Sequence, residues 1–427
     1  MFTSKPRVVI TGLGTVNPIG NNINDFWSNC VSGKSGIKYI TDFKLPESIS
    51  QISGIANKFK FNKHDFEYNN EQLDRSLEFS LTATKEALED SNLINNNFKK
   101  NDWKICLATA ISQIQSMVNS FAKQSQCGKI PIKMANHPIE PKEKRKYNRF
   151  LFNSISDQIA SEYGITGGSA TIATGCTGGL DSIIYSTHLI RNKKASVVIA
   201  GATEVPITPL VLSAFSKIGA VSKRDVNPYK ASCPFDVKRD GFVLAEGCGI
   251  IILEDLSHSL KRNAFIYGEV AGVASVNSCF HMTNIPENGQ PIAEAIRLAI
   301  QDSQTISEND IDYINVHGSS TLQNDIAESN ALNSIFKHRI KKIPVSANKS
   351  TIGHALSAAN IIEIISCSLT LRDNIIPPTI NLEVQDKRCK LNVLANSPKK
   401  QNVNCILKIG SGFSGLHSSM ILKRYKK

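Results

Sequence analysis

Apolar residues in this chain follow two alternating patterns. Residues 7–11, 103–111, 195–205, 249–254 and 311–316 are nearly continuous apolar runs rich in β-branched side chains, which predicts strands, the run at 195–205 a buried one of the parallel type. Between them, residues 24–32, 74–90, 257–263, 291–302 and 325–336 predict helices. In 74–90, Leu77, Leu81 and Leu88 share one face among charged neighbours. The alternation predicts an α/β fold. Residues 118–150 and 221–240 keep neither period and predict loops, the first with short helices. The opening run leads into Gly12-Leu13-Gly14, but Asn17 stands where a dinucleotide-binding turn needs its third glycine, and Pro18 follows. That turn is structural.

The pattern also repeats. A strand at 266–276 opens what reads as a second pass through the same design, which closes on 406–409, a Gly-Phe turn and a strand at 419–423. The Gly-Phe turn echoes Gly241-Phe242, and the strand–Gly–helix at 170–190 is echoed at 345–362 with Gly353-His354 at its turn. Two related halves follow, residues 1–260 and 261–427, with a seam near 256–265.

Composition narrows the class. Over 427 residues, 41% apolar and 20% charged content suits a globular core. The net charge of +12 is spread over scattered clusters (99–100, 142–149, 193–194, 341–342, 399–400, 423–427) with no regular aromatic interleaving and no finger, recognition-helix or RNA-binding signature. An acidic protein partner fits this better than nucleic acid. Ten cysteines without a CxxC pair indicate neither a disulfide framework nor a metal site, and point to a reducing, cytoplasmic setting. No apolar run nears the roughly 20 residues of a membrane span.

The chemistry centres on three turns. Cys176 falls between an apolar strand and a helix opening Gly178-Gly179-Leu180-Asp181, which puts its sulfur at a helix N-terminus, where thiolate is favoured. His317 ends the run Tyr-Ile-Asn-Val, and His354 begins an apolar helix. The other seven histidines (64, 137, 188, 258, 281, 338, 417) lack such settings and read as structural.

At these residues a resemblance appears. TGCTGGLDS, VHGSSTLQND, NKSTIGHALSAANIIE and GSGFSG resemble the four motif blocks of β-ketoacyl-ACP synthases, and the likeness runs from RVVITGLGTVNPIG to the last strand. HGSS followed by QND, FHMTNIPENG, RDGFVLAEG and GSGFSGLHSSMIL resemble the ketosynthase-α branch of type II polyketide synthases. Ser411 stands where fatty-acid elongation enzymes usually carry phenylalanine. The chain departs from the branch at Gly178, where serine is common, and at Leu416-His417, which replace Phe-Gln.

The resemblance implies a thiolase-like, duplicated five-layer αβαβα fold with two mixed sheets. It implies an acyltransferase that joins malonyl-ACP to an acyl chain held on Cys176, with no bound cofactor or metal and with substrates carried on the 4'-phosphopantetheine of an acidic acyl carrier protein. Cys176 and Phe413 would supply oxyanion-hole N–H groups, and Phe413 a gate. His317 and His354 would hold the malonyl thioester oxygen through Nε2. Lys349, paired with Glu363, would act electrostatically, and Asp325 would support the His317 loop. Lys58, Lys60, Lys63, Lys223 and Arg224 are candidates for carrier docking. The partner would be a chain-length factor in a heterodimer or, for a fatty-acid-type enzyme, a second copy. A non-catalytic chain-length factor would lack Cys176, a thiolase would show a second cysteine near the C-terminus, and a Cys–His hydrolase would leave the second histidine and Lys349 unexplained.

Overall fold

The computed structural model describes residues 5–66, 73–94, 100–124, 150–224 and 227–426. Ten strands form one sheet in two sets of five. The first set is β1 (Val8–Val16), β2 (Lys104–Ala108), β3 (Ser169–Ile172), β4 (Val197–Glu204) and β5 (Gly247–Asp255). The second is β6 (Gly268–Asn277), β7 (Tyr313–Asn315), β8 (Val345–Ser346), β9 (Cys405–Ser411) and β10 (Leu416–Lys423). The spatial orders are β3-β2-β4-β5-β1 and β8-β7-β9-β10-β6, the same arrangement twice. The pairings match as well. β4–β5 and β5–β1 are antiparallel and β3–β2–β4 parallel, as β9–β10, β10–β6 and β8–β7–β9 are. The two mixed sheets join edge to edge, where Val8–Ile10 pairs antiparallel with Gly268–Val270.

The period-2 alternation within strands sorts side chains into separate helix layers. Ile105, Leu107, Val197 and Ile199 face α1 (Arg75–Asp90) and α2 (Ser154–Glu162). Their neighbours Cys106, Ala108, Val198 and Ala200 face the opposite way, onto α3 (Gly178–Arg191). In the second half, Leu407 and Ile409 face α4 (Gln290–Ser303) and α5 (Leu322–Phe336), while Ile406 faces α6 (Leu356–Asp373). Helices α3 and α6 thus form a middle layer between the sheets. Residues 356–371 of α6 are all buried, as a helix covered on every side requires. Glycine permits the crossing of these two helices, since a Cβ at Gly179 would sit 2.6 Å from the Ser357 carbonyl oxygen.

Two expectations change. The Gly12–Gly14 segment is no turn: β1 runs through it to Val16. Those glycines let the strand lie against α1, because Cβ atoms there would come within 2.3 and 2.0 Å of the carbonyl oxygens of Ala87 and Ala83. The strand expected over 103–111 stops at Ala108. Residues Ile114–Gln124 form a helix that runs into the 118–150 stretch, where loops and short helices were expected; the part at 125–149, with the basic cluster at 142–149 and His137, lies outside the described residues.

Candidate active site

β3 delivers the chain to a single 3-10 turn, Gly175–Thr177, which runs directly into α3. Cys176 sits at its centre. Asp181, one turn into α3, accepts the hydroxyls of Thr174, Thr177 and Ser418, which ties the turn to β10. From α6, Asn360 Nδ2 donates to the Cys176 carbonyl at 2.6 Å and Ser357 Oγ to that of Gly175 at 2.8 Å. Both helices of the middle layer therefore fix the nucleophile's backbone.

The backbone N–H groups of Phe413 and of Cys176 itself favour the thiolate. Burial nevertheless pushes the thiol up to about 11, against the pull of Lys349 and with Glu204 adding to the rise. The helix end was expected to favour thiolate. Desolvation outweighs it, because a half-buried sulfur crowded by protein atoms loses more hydration as an anion than the helix end returns. At neutral pH Cys176 is therefore a thiol.

His317 follows β7, and His354 lies between the short helix Lys349–Ile352 and α6. Gly353, with φ +84°, makes the bend that a side chain would strain. The two imidazole rings stand edge to face, 5.2 Å apart between centroids. Burial, with Lys349 beside them, holds both pKa values well below the usual histidine range, so both rings are neutral. Their Nδ1 atoms are buried and without partners among the described residues. An orphaned acceptor is more tolerable than an orphaned N–H, so the protons belong on Nε2.

Cys176, His317, His354 and Phe413 all line one cavity of about 320 Å³, with Ser411 and Gly412 in the same wall. Beneath it lies a buried ion triad. Lys349 Nζ donates to the His317 carbonyl at 2.8 Å and to Glu363 Oε1 at 2.7 Å, while Lys408 Nζ donates to Glu363 Oε2 at 2.7 Å. Two cations thus share one carboxylate, all but sealed from solvent. Burial lowers the Lys349 pKa and Glu363 opposes that fall.

Residues 5–259 match the family described as Beta-ketoacyl synthase, N-terminal domain, and residues 267–383 its C-terminal domain. The chain belongs to the β-ketoacyl synthase family. It is 35% identical over 424 residues to the tetracenomycin polyketide synthase ketoacyl synthase alpha subunit of Streptomyces glaucescens, covering 99% of this chain and 98% of that one. It is 33% identical over 420 residues to 3-oxoacyl-[acyl-carrier-protein] synthase 2 of Coxiella burnetii, covering 98% and 99%. A solved chain from a type II PKS acyl-carrier protein in complex with its ketosynthase bound to the hexaketide superposes with a TM-score of 0.89 at 36% identity, covering 99% of this chain and 100% of that one.

In this β-ketoacyl synthase the expected residues are not all where the sequence put them. Cys176, His317, His354 and Phe413 meet at the cavity, and Lys349 and Glu363 pair beneath it. Asp325 accepts the Phe235 N–H at 2.8 Å with the Arg239 Nε at 3.4 Å, and the Ser320 N–H of the His317 loop also favours its carboxylate. A second carboxylate, Glu328, accepts the N–H groups of His317 and of Gly318, and burial pushes it up to about 7. Lys223 is exposed, and its N–H lies 3.2 Å from Asp240, a cavity-lining residue. Lys58, Lys60 and Lys63 are exposed but do not line the cavity. Sequence reading missed Lys408, Glu328 and Glu204. A lone lysine inside the apolar strand Cys405–Ser411 was the available signal for Lys408.

Proposed function

We propose that this chain is a ketosynthase-α subunit that performs decarboxylative Claisen condensation on carrier-bound substrates. The single observation that carries the chemistry is the meeting of one cysteine and two neutral histidines at one cavity. The Cys176 sulfur attacks the acyl thioester. The oxyanion is held by the N–H groups of Cys176 and Phe413, the pantetheine sulfur leaves, and the thiol proton passes to it. Malonyl-ACP then places its thioester oxygen against the Nε2–H groups of His317 and His354. The carboxylate carbon departs as carbon dioxide, and its bonding electrons become the enolate that the two N–H groups stabilise. The enolate carbon attacks the acyl-Cys176 carbonyl, and the sulfur leaves and regains a proton.

Lys349 fixes the His317 backbone and, with Lys408, keeps positive charge near both rings, so they remain neutral donors. Phe413 gates the alternation of substrates. Lys223 and Arg224 dock the acidic carrier beside the mouth, with Lys58, Lys60 and Lys63 a more distant part of that face. Asp325 steadies the His317 loop through the Ser320 N–H. We place the working unit in the cytoplasm, as halves 1–260 and 261–427 of one subunit beside a cysteine-less chain-length factor.

The resemblance of two relatives bears on that partner: one is a polyketide alpha subunit, and a solved neighbour at 26% identity and TM-score 0.87 is the ishigamide ketosynthase/chain length factor. Ser411 in the cavity wall also favours the polyketide branch over the fatty-acid homodimer. Co-purification tests the choice. A one-to-one complex with a homologous, cysteine-less chain supports the ketosynthase-α reading, and a self-sufficient homodimer elongating acyl-ACP to a saturated-chain precursor overturns it.

A further inference from the structure

Strands β9 and β10 place a third histidine behind the catalytic cavity. His417 pairs across the strands with Ser411 and is only 1% exposed. Its Nδ1 lies 3.0 Å from Ser411 Oγ, and its Nε2 is buried without a partner among the described residues. Burial pushes its pKa down to about 4, so at neutral pH the ring carries one proton. On Nε2 that proton would be a buried N–H with no acceptor, the rarer and costlier kind of orphan. On Nδ1 it is donated to Ser411 Oγ. The serine oxygen then accepts from behind and keeps its own hydroxyl proton for another acceptor.

Ser411 belongs to the cavity wall that also holds Cys176, and no other hydrogen bond engages its hydroxyl among the described residues. It precedes by two residues Phe413, whose N–H favours the Cys176 thiolate, a span of about 6.5 Å in extended chain. An acyl group on Cys176 has its β carbon two bonds beyond the thioester carbon. A ketone oxygen there, with an O–H···O bond of about 2.7–2.8 Å, closes such a span. A saturated chain offers no acceptor.

We propose that Ser411, oriented by His417, donates a hydrogen bond to the β-keto oxygen of the acyl chain on Cys176, so that the site favours β-keto acyl chains over saturated ones. This deepens, and rests on, the condensing role of Cys176 given above. Ser411 touches substrate; His417 is a positioning residue acting through it.

The test uses the full-length protein with acetoacetyl- and butyryl-pantetheine thioesters, following acylation of Cys176 by intact-protein mass. The wild type is expected to favour acetoacetyl in kcat/KM. Ser411→Ala should lower that preference about three- to tenfold, the size of one neutral hydrogen bond, by slowing acetoacetyl transfer alone. His417→Leu should do the same, and His417→Gln, whose amide can still donate to Ser411, should restore the preference. If Ser411→Ala slows both thioesters equally, or neither, the inference is overturned, whether or not His417→Leu folds. A folded wild type that is not acylated by either thioester overturns the condensing reading itself.

Discussion

Replacing Glu363 with glutamine removes the one anion between two buried ammonium groups. Lys349 and Lys408 would then face an amide, with only the carbonyl oxygens of His317 and Ile409 left as their other acceptors. Breaking a buried pair in this way costs about 3–5 kcal/mol. The escape open to an unpaired lysine is loss of its proton, which from an ordinary value near 10.4 costs about 4–5 kcal/mol at pH 7, the same size. For 427 residues the unfolding entropy is about 0.9 kcal/mol per kelvin, so the melting temperature should fall by about 3–5 °C. Thermal unfolding by circular dichroism at one fixed scan rate measures it. Lys408→Met leaves Lys349 and Glu363 as a balanced pair and should cost less, and Glu363→Gln with Lys408→Met should recover part of the single-variant loss. If Glu363→Gln melts within 1 °C of wild type, or the double variant is additive, the view of the triad as a coupled charge unit is wrong.

Three further outcomes follow from particular contacts. Burial holds the Glu204 carboxyl up at about 8, so the native state keeps a proton that the unfolded chain releases near pH 4.3. That stability is complete below about pH 4.3 and is lost as pH rises toward 8, at roughly 1.4 kcal/mol per pH unit. Glu204→Gln should therefore gain on wild type in melting temperature between pH 5 and 8, and a pH-independent difference would contradict this. Gly179→Ala puts a Cβ 2.6 Å from the Ser357 carbonyl oxygen and should cost about 1–3 kcal/mol in urea unfolding while slowing acylation of Cys176. Charge reversal at Lys223 and Arg224 should raise the KM for carrier-bound substrate and leave that for pantetheine thioesters unchanged, with a smaller effect at Lys58, Lys60 and Lys63. Equal effects on both substrates would remove Lys223 and Arg224 from the docking face.

Much of the site was legible because its catalytic side chains stand at breaks in the hydrophobic pattern. Cys176, His317 and His354 each interrupt an apolar run beside glycine or serine, and the duplicated topology brings those three breaks to one cavity. The supporting charges were harder to see. Lys408 sits within a seven-residue strand buried throughout, Glu204 at the last position of β4, and Glu328 in the middle of α5. Nothing in their local spacing marks the partner that ties each to the site, since Glu363, the His317 turn and Ala110 all belong to other parts of the chain. The ionisation of Cys176 is hidden for a related reason: sequence places a sulfur at a helix end, but only the fold shows the protein atoms that crowd it. The Gly12–Gly14 stretch misled in the opposite sense, because glycine for close packing and glycine for a turn look alike in one sequence.

The central claim is that Cys176 carries the acyl chain while His317 and His354 break down malonyl-ACP. Cys176→Gln separates the two roles. With radiolabelled malonyl-ACP, this variant should release carbon dioxide and form no β-ketoacyl product, and adding His317→Ala or His354→Ala should stop that release. Condensation by Cys176→Gln, or carbon dioxide release that survives loss of both histidines, would contradict the account.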